Sequence, residues 1–346
     1  MAKLQAHADI EGLAFAAMRA MMLHEAAEHG LPVLENEPTR LKVESLYGAF
    51  GLEDRAPLLR LSVESDRADH LFTLRESLVG HIEHFLPEVA ESITWSDAID
   101  AGELPPNFQF GTVERAYELC QDFRRLTVKL SNPERFEDPS IHFRFALPPQ
   151  GIKAPEWPRV QPNGGTRWPT GTAELHRPVY TARSFDAQAG TIDVDVFEHV
   201  GGRTTDWAKT VKPGEEVAII GPGGGGILKE IEIVLAGDET AFPAMSRILE
   251  ALPAGARADL FFLSHSGAKD YPIPERDGSS LTWVTVRDAQ ELADVALNQA
   301  LNLSSPFLWF GAEKNGAAAL RKDPRLSAVP KVKRYIAAYW SSSATS

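Results

Sequence analysis

Cysteine is almost missing from this chain of 346 residues, with Cys120 its single example. One thiol cannot close an internal disulfide or ligate an iron–sulfur cluster by itself, so a reducing, cytoplasmic setting is expected. No run of about 18 apolar residues occurs, which excludes a bilayer-spanning helix. The N-terminus carries His7, Asp9 and Glu11 and no basic stretch before an apolar core, so no secretory signal is read there. Basic charge is also scarce. Against 48 acidic residues stand 35 Lys and Arg, a net charge of −13, which disfavours nucleic acid as a partner. The same charge repels anionic small molecules unless cations cluster locally.

A hydrophobic content of 43% and a charged content of 24% describe an ordinary globular protein, and the length asks for two or three domains. Three regimes are expected. Residues 1–104 read as a small α+β domain, with helices over 10–29 and 68–85 and strands over 39–47, 58–65 and 92–95. Leu13, Ala17, Met21 and His24 would form the buried stripe of the first helix. Gly102–Pro106 reads as a linker. Residues 105–230 read as an antiparallel β-barrel. Here Ile141, Phe143, Phe145 and Leu147 alternate with His142, Arg144 and Ala146, a period of two with one wet face. A loop over 150–171, rich in proline, glycine and tryptophan, interrupts it. Residues 231–346 alternate strand and helix, as a parallel α/β sheet does.

Four segments carry chemistry. The first, RPVYTAR (177–183), places Tyr180 as a flat ring for a planar heterocycle such as isoalloxazine. Thr181 offers a hydroxyl near the reactive N5 of that ring, and Arg177 or Arg183 offers a cation for phosphate. A plain edge strand with one aromatic has the same composition. The second, EHVGGRTTDW (198–207), pairs Gly201 and Gly202 in a backbone nest with the hydroxyls of Thr204 and Thr205, and Trp207 opens a helix behind them. It can cradle a pyrophosphate, or be a simple capped turn. The third, GPGGGG (221–226), meets G-x-G-x-x-G but is followed by β-like residues where that fingerprint needs a helix. A flexible hinge between barrel and sheet is expected instead. The fourth, IVLAGDETAFPAMSRILE (233–250), is a strand feeding a capped helix through Asp238, Glu239 and Thr240, the place where open α/β sheets bind cofactors.

In order, these segments resemble the siderophore-interacting proteins, flavoprotein ferric-siderophore reductases of the ferredoxin-reductase-like group. The matching residues are Ile141–Phe145, Tyr180–Arg183, His199 with Thr204, Thr205 and Trp207, Pro213–Glu216 with Gly221-Pro222, and Ala236–Ala241. Leu249–Gly255, Trp309–Glu313 with Leu320-Arg321, and Tyr339-Trp340 complete the set. The resemblance implies FAD on the barrel, NADPH or NADH on the sheet, hydride transfer to flavin N5, and single electrons passed to chelated iron. It places Arg177, Tyr180, Thr181, Arg183, His199, Thr204, Thr205 and Trp207 at the flavin, and Asp238, Glu239 and Thr240 at the cleft. Three departures stand out. Pro178 occupies the place of the family's first arginine, Gly223 replaces a cation, and Gly311-Ala312-Glu313 reorders an alanine-glycine-glutamate. The first hundred residues resemble a small domain of unknown function that can be fused ahead of such reductases.

His142 and Arg144, with Lys333 and Arg334 from the basic tail, are expected to guide an anionic ferric siderophore. Strand end Leu263-Ser264-His265-Ser266, with Lys269 beyond, lacks an acid for a ribose 2′-hydroxyl and favours NADPH over NADH. His81 and His84, with His70 and His24, can in principle hold a metal, but capping or surface roles are expected and no metal site is assigned. A monomer or weak oligomer is expected. Two rival readings remain open: a binding protein on the same fold that has lost flavin, and a general flavin or quinone reductase.

Overall fold

The computed structural model describes residues 3–342. It forms two compact units: the N-terminus to Phe108 together with Pro148–Leu175, and Gln109–Leu147 together with His176 onward.

The first unit contains β1 (Leu4–Ile10), α1 (Phe15–His29), β2 (Val33–Glu37), β3 (Arg40–Ser45), β4 (Gly48–Arg55), β5 (Leu58–Ser65), α2 (Ala68–Phe85) and α3 (Pro87–Ser92). The strands pair antiparallel in the order β1-β5-β4-β3-β2. Along β5, Leu59, Leu61 and Val63 alternate into the core, and Leu71, Leu74, Leu78 and Ile82 of α2 meet them at helical spacing. Helix α1 starts later than its pattern suggests, because residues 4–10 pair with β5 as a strand. Its buried stripe is Phe15, Met18, Met22 and Ala26 rather than Leu13, Ala17, Met21 and His24. The run FAAMRAMML is apolar on nearly every side, so helical spacing alone does not set the phase. Residues 92–95 are not a strand: Pro87 opens the short helix α3, and Ile93 and Trp95 follow it into the core.

The second unit begins with β6 (Phe108–Cys120), β7 (Phe123–Leu130) and β8 (Ser140–Ala146). The chain then returns to the first unit for residues 148–175, which carry the small hairpin β9 (Arg159–Val160) and β10 (Thr166–Arg167). This segment, expected as a barrel loop, packs on Trp95. The Trp95 indole donates to the Asn163 carbonyl at 2.9 Å, and the Asn163 amide donates to the Ala90 carbonyl at 3.0 Å. Arg75 lies over the Trp95 ring, 5.6 Å from its centre, and pairs with Asp97. Gly164 has φ +80°, and a Cβ there would come within 3.0 Å of the indole nitrogen.

The barrel continues with β11 (Val179–Thr181), β12 (Ser184–Asp186), β13 (Thr191–Phe197), α4 (Arg203–Thr210) and β14 (Glu216–Gly226). Strand order is β11-β8-β14-β6-β7-β13-β12. The two end strands are consecutive in sequence. The Ala182 N–H donates to Ile141 on β8 and the Arg183 N–H donates to Asp193 on β13, closing the sheet at this seam. The glycine run is no hinge. It extends β14 to Gly226 with irregular register against β8, because Gly225 must admit the Tyr335 ring, which a Cβ would meet at 3.0 Å.

The parallel sheet comprises β15 (Glu232–Asp238), α5 (Phe242–Ala251), β16 (Arg257–Leu263), β17 (Ser279–Val284), α6 (Ala289–Leu301), β18 (Phe307–Glu313), α7 (Lys314–Lys322) and β19 (Arg334–Trp340). Its order β17-β16-β15-β18-β19 reverses direction between β15 and β18, which makes their carboxyl ends the topological switch point. Helices α6 and α7 cover one face. Helix α5 covers the other and shares its core with Phe123 and Ile141 of the barrel. Phe123 packs 4.6 Å from Tyr271, whose hydroxyl donates to Asp195 at 2.7 Å, and Arg125 grips the same carboxylate with two bonds.

Removing the indole that residues 160–166 enclose should destabilise the first unit. Trp95→Ala is expected to cost about 3–5 kcal/mol in urea unfolding, and a cost below about 1 kcal/mol would show that the enclosure contributes little.

Candidate functional site

The seam strand alternates its side chains between two environments. The Tyr180 ring packs 5.4 Å from Phe145. Burial pushes the pKa of its hydroxyl up to about 12, opposed by Thr204 in the first turn of α4. Thr204 also meets His176 Nε2 at 3.1 Å. The Thr205 hydroxyl accepts from the His199 N–H and lies 3.4 Å from the Phe197 carbonyl, to which it donates. Gly201 has φ +79°, and a Cβ on Gly202 would stand 2.7 Å from the His199 ring, so both positions require glycine. Tyr180, His199, Thr204 and Thr205 therefore converge around one loop, although the two threonine hydroxyls already have protein partners. Trp207 packs 5.0 Å from Phe145 and supports the loop from the barrel core. Arg203, exposed at the start of α4, is the cation of this loop. Its place directly after the paired glycines, inside GGRTT, is the sequence signal that marks it.

Behind the seam the predicted phosphate cation is already engaged. Arg183 donates to both oxygens of Glu250, at 2.7 and 2.8 Å. Arg247 lies beside it and donates to the Ala182 carbonyl, and among the described residues it makes no ion pair. Burial, then the nearby Arg183 charge, pushes Arg247 down to about 10. The Arg177 carbonyl accepts from Arg144 at 3.0 Å.

The expected wet face of β8 is wet only at Arg144. His142 is 7% exposed, because the last strand of the other sheet covers it. Its Nδ1 lies 3.2 Å from the Thr181 hydroxyl, and its Nε2 lies 3.2 Å from the Tyr339 hydroxyl. Lys333 sits in a short 3₁₀ turn before β19 and pairs with Glu230 at 2.6 Å. Arg334 opens β19 and donates to the Leu326 carbonyl at 3.0 Å. The two are not neighbours on one strand.

At the switch point, Gly237 and Gly311 stand in register. Asp238 beyond them is fully buried. One of its oxygens accepts from the Thr240 N–H and hydroxyl, at 3.1 and 2.6 Å. The other accepts from the Glu313 N–H and the Trp340 indole, each at 2.8 Å. Burial raises the Asp238 pKa, and these donors oppose the rise. One carboxylate thus ties together the carboxyl ends of β15, β18 and β19. Buried Glu239 receives the His265 backbone N–H, and its second oxygen lies 2.7 Å from His265 Nδ1. That hydrogen bond raises the His265 pKa above its ordinary value. Asp238 and Glu239 therefore organise the edge, and half-buried Thr240 turns its hydroxyl back onto Asp238.

Comparison with known proteins decides the family. The model for the siderophore-interacting FAD-binding domain matches residues 112–226, and the model for the siderophore-interacting protein matches residues 231–343. The chain belongs to the siderophore-interacting protein family. Ferric vibriobactin reductase ViuB of Vibrio cholerae is 28% identical over 256 residues, covering 66% of this chain and 91% of that protein. NADPH-dependent ferric-chelate reductase of Escherichia coli is 25% identical, covering 59% and 76%. The crystal structure of the siderophore-interacting protein SipS from Aeromonas hydrophila superposes with a TM-score of 0.54 at 23% identity, covering 68% of this chain and 99% of that one, which shows a shared fold. The family reduces ferric siderophores with a flavin, and this chain is an oxidoreductase of that class. Residues 1–111 lie outside both family matches. Among the described residues, no helix is long and apolar enough to cross a membrane, and no three His, Cys, Asp or Glu side chains cluster as metal ligands.

Two outcomes test the sheet edge. Asp238→Asn places an amide against two obligate donors, so it should cost roughly 2 kcal/mol or more in urea unfolding. A loss under about half a kilocalorie would remove Asp238 as the tie. His265 has a folded pKa above its unfolded value, so its contribution is full below about pH 6.5 and is lost as pH rises through the folded pKa. His265→Gln should therefore lower the melting temperature more near pH 5.5 than near pH 9, and equal losses would contradict the pairing with Glu239.

Proposed function

We propose that this protein passes electrons from NADPH through FAD to ferric siderophores and releases iron as Fe(II). The observation that carries the reading is the convergence of Tyr180 and Trp207 on Phe145, at 5.4 and 5.0 Å. It joins the strand bearing an aromatic face to a loop whose glycines, helix N-terminus and Arg203 suit a pyrophosphate. These residues fit FAD. The Tyr180 ring would lie along the flavin, Thr181 beside N5, and the first turn of α4 with Arg203 and His199 beside the phosphates. When bound, the flavin accepts hydride and yields electrons singly, which nicotinamide cannot do. The residues of this chain orient it and exclude water.

The nicotinamide nucleotide is assigned to the carboxyl edge of the parallel sheet near Thr240. NADPH is favoured because the end of β16 offers the Ser264 hydroxyl with the Lys269 cation beyond it in sequence, which suit a 2′-phosphate. Ser266 is already held by Asp122. For the siderophore, exposed Arg144 is the best-placed cation, since it donates to the neutral Arg177 carbonyl. Lys333 contributes less because Glu230 neutralises it. A cytoplasmic monomer or weak oligomer completes the proposal.

The rival binding protein without flavin draws support from Pro178 and from Arg183 being tied to Glu250. Purified protein should be yellow, and anaerobic NADPH should bleach it faster than NADH. Protein that stays colourless after incubation with FAD favours the rival. Arg203→Ala should weaken FAD binding roughly tenfold, the worth of one charge-assisted hydrogen bond. Arg144→Ala should raise KM for anionic ferric chelates at low salt, with the effect fading as salt screens an exposed charge. An unchanged KM places the chelate elsewhere.

A further inference from the structure

Arg247 is a buried cation that the reading above leaves without a task. It lies on α5 and is 9% exposed. Its guanidinium donates to the Ala182 carbonyl at the barrel seam. Among the described residues no carboxylate pairs with it, because the nearby ones are taken. Arg183 holds both oxygens of Glu250. Arg125 holds both oxygens of Asp195, whose charge also acts on Arg183. Arg125, Arg183 and Arg247 thus stand against Asp195 and Glu250, three cations to two carboxylates. In a chain with 48 acidic residues to 35 Lys and Arg, the region behind the seam keeps one positive charge in excess.

Burying an ionised group without a counter-ion is costly, and groups of that kind concentrate where chemistry is done. Burial and the Arg183 charge push Arg247 down only to about 10, so it stays charged at neutral pH. Its charge reaches the seam strand. After burial, it is the next cause that pushes His142 down, to about 4, and His142 Nδ1 lies 3.2 Å from the Thr181 hydroxyl. Thr181 and Ala182 are consecutive. The residue assigned to N5 is therefore bonded in sequence to the one whose carbonyl Arg247 holds. Across an interior of low effective dielectric, such a charge is screened less than one at the surface.

We infer that Arg247 is a positioning residue that fixes an unpaired positive charge behind Ala182 and thereby raises the reduction potential of the flavin. The inference rests on the placement of FAD beside Thr181 proposed above. Charge balance gives the sign. NADPH gives up a hydride, two electrons with one proton, and becomes one unit more positive. The isoalloxazine that takes it becomes one unit more negative. A fixed cation gains little from a neutral oxidised ring and attracts the reduced one, so it favours reduction. Arg183 adds less, since Glu250 cancels its charge.

The test measures the midpoint potential of the FAD-loaded protein, anaerobically and against a reference dye. Arg247→Gln keeps an N–H for the Ala182 carbonyl and removes the charge, whereas Arg247→Lys keeps the charge. Arg247→Gln should make reduction roughly tenfold less favourable, a potential about 30 mV lower for a two-electron couple, while its dissociation constant for oxidised FAD changes less than about threefold. Arg247→Lys should hold the potential near that of the unaltered protein. Glu250→Gln gives the converse, since it frees Arg183 from its carboxylate and should raise the potential by a similar amount. A purely structural role would weaken oxidised and reduced FAD alike and leave the potential unmoved. An unchanged potential in Arg247→Gln, an equal fall in Arg247→Lys, or, should Arg247→Gln not fold, an unchanged potential in Glu250→Gln overturns the inference and leaves the proposed function standing. An unaltered protein that takes up no FAD overturns both.

Discussion

Everything at the site depends on how the barrel closes. A curled sheet leaves two edges of unpaired N–H and C=O groups, which must find partners when buried. Here the edges are β11 and β12, two short strands in one stretch of chain, and the residues between them serve both sides. Ala182 bonds β8 and Arg183 bonds β13. This double engagement leaves the four residues Tyr180 to Arg183 little freedom. Tyr180 is turned toward the first turn of α4, Thr181 toward His142, and Arg183 toward helix α5. The α4-facing and sheet-facing halves of the site are therefore alternate side chains of one strand.

Charge is spent sparingly at the join between barrel and sheet. Arg125 and Tyr271 meet Asp195, Arg183 meets Glu250, and Arg247 reaches only a carbonyl. A buried pair such as Arg125–Asp195 adds little net stability, because desolvation offsets attraction, but it defines orientation. Asp238 plays the same part at the switch point, where three strand ends share one carboxylate. With these groups engaged, Arg203 on the Gly201-Gly202 loop and Arg144 on the outer face of β8 are exposed cations beside the site, whereas His265 at the end of β16 is paired with Glu239. An acidic protein can present local positive potential only in that way, through the cations that its own carboxylates do not reach.

Much of the architecture was legible in the order of residues. Period-two alternation marked β8 and β13, and the strand-turn-helix run through Gly237 marked the sheet edge. The ordered motifs pointed to the family that the comparisons identify. Helix α2 and strand β5 were placed at the observed bounds, 68–85 and 58–65. Patterning was weaker where composition is degenerate. The apolar run of α1 supports two phases of the same helix. The glycines of β14 look like a flexible joint until the ring that fills the space beside them is known.

By itself the sequence determined which residues share a face, because side-chain period follows from backbone geometry. It also placed Tyr180 and Thr181 on a barrel strand, and the Gly201-Gly202 loop and Asp238–Thr240 at turns. Only the tertiary structure decided which of those faces would be covered and which charges would be neutralised. Arg183 and Glu250 are 67 residues apart, and Lys333 and Glu230 are 103 apart, yet each pair is in contact. His142 became an interior group because β19, from the far end of the chain, lies across it. Local pattern has no access to such pairings, since they arise from packing between elements that the chain brings together only when both sheets have formed.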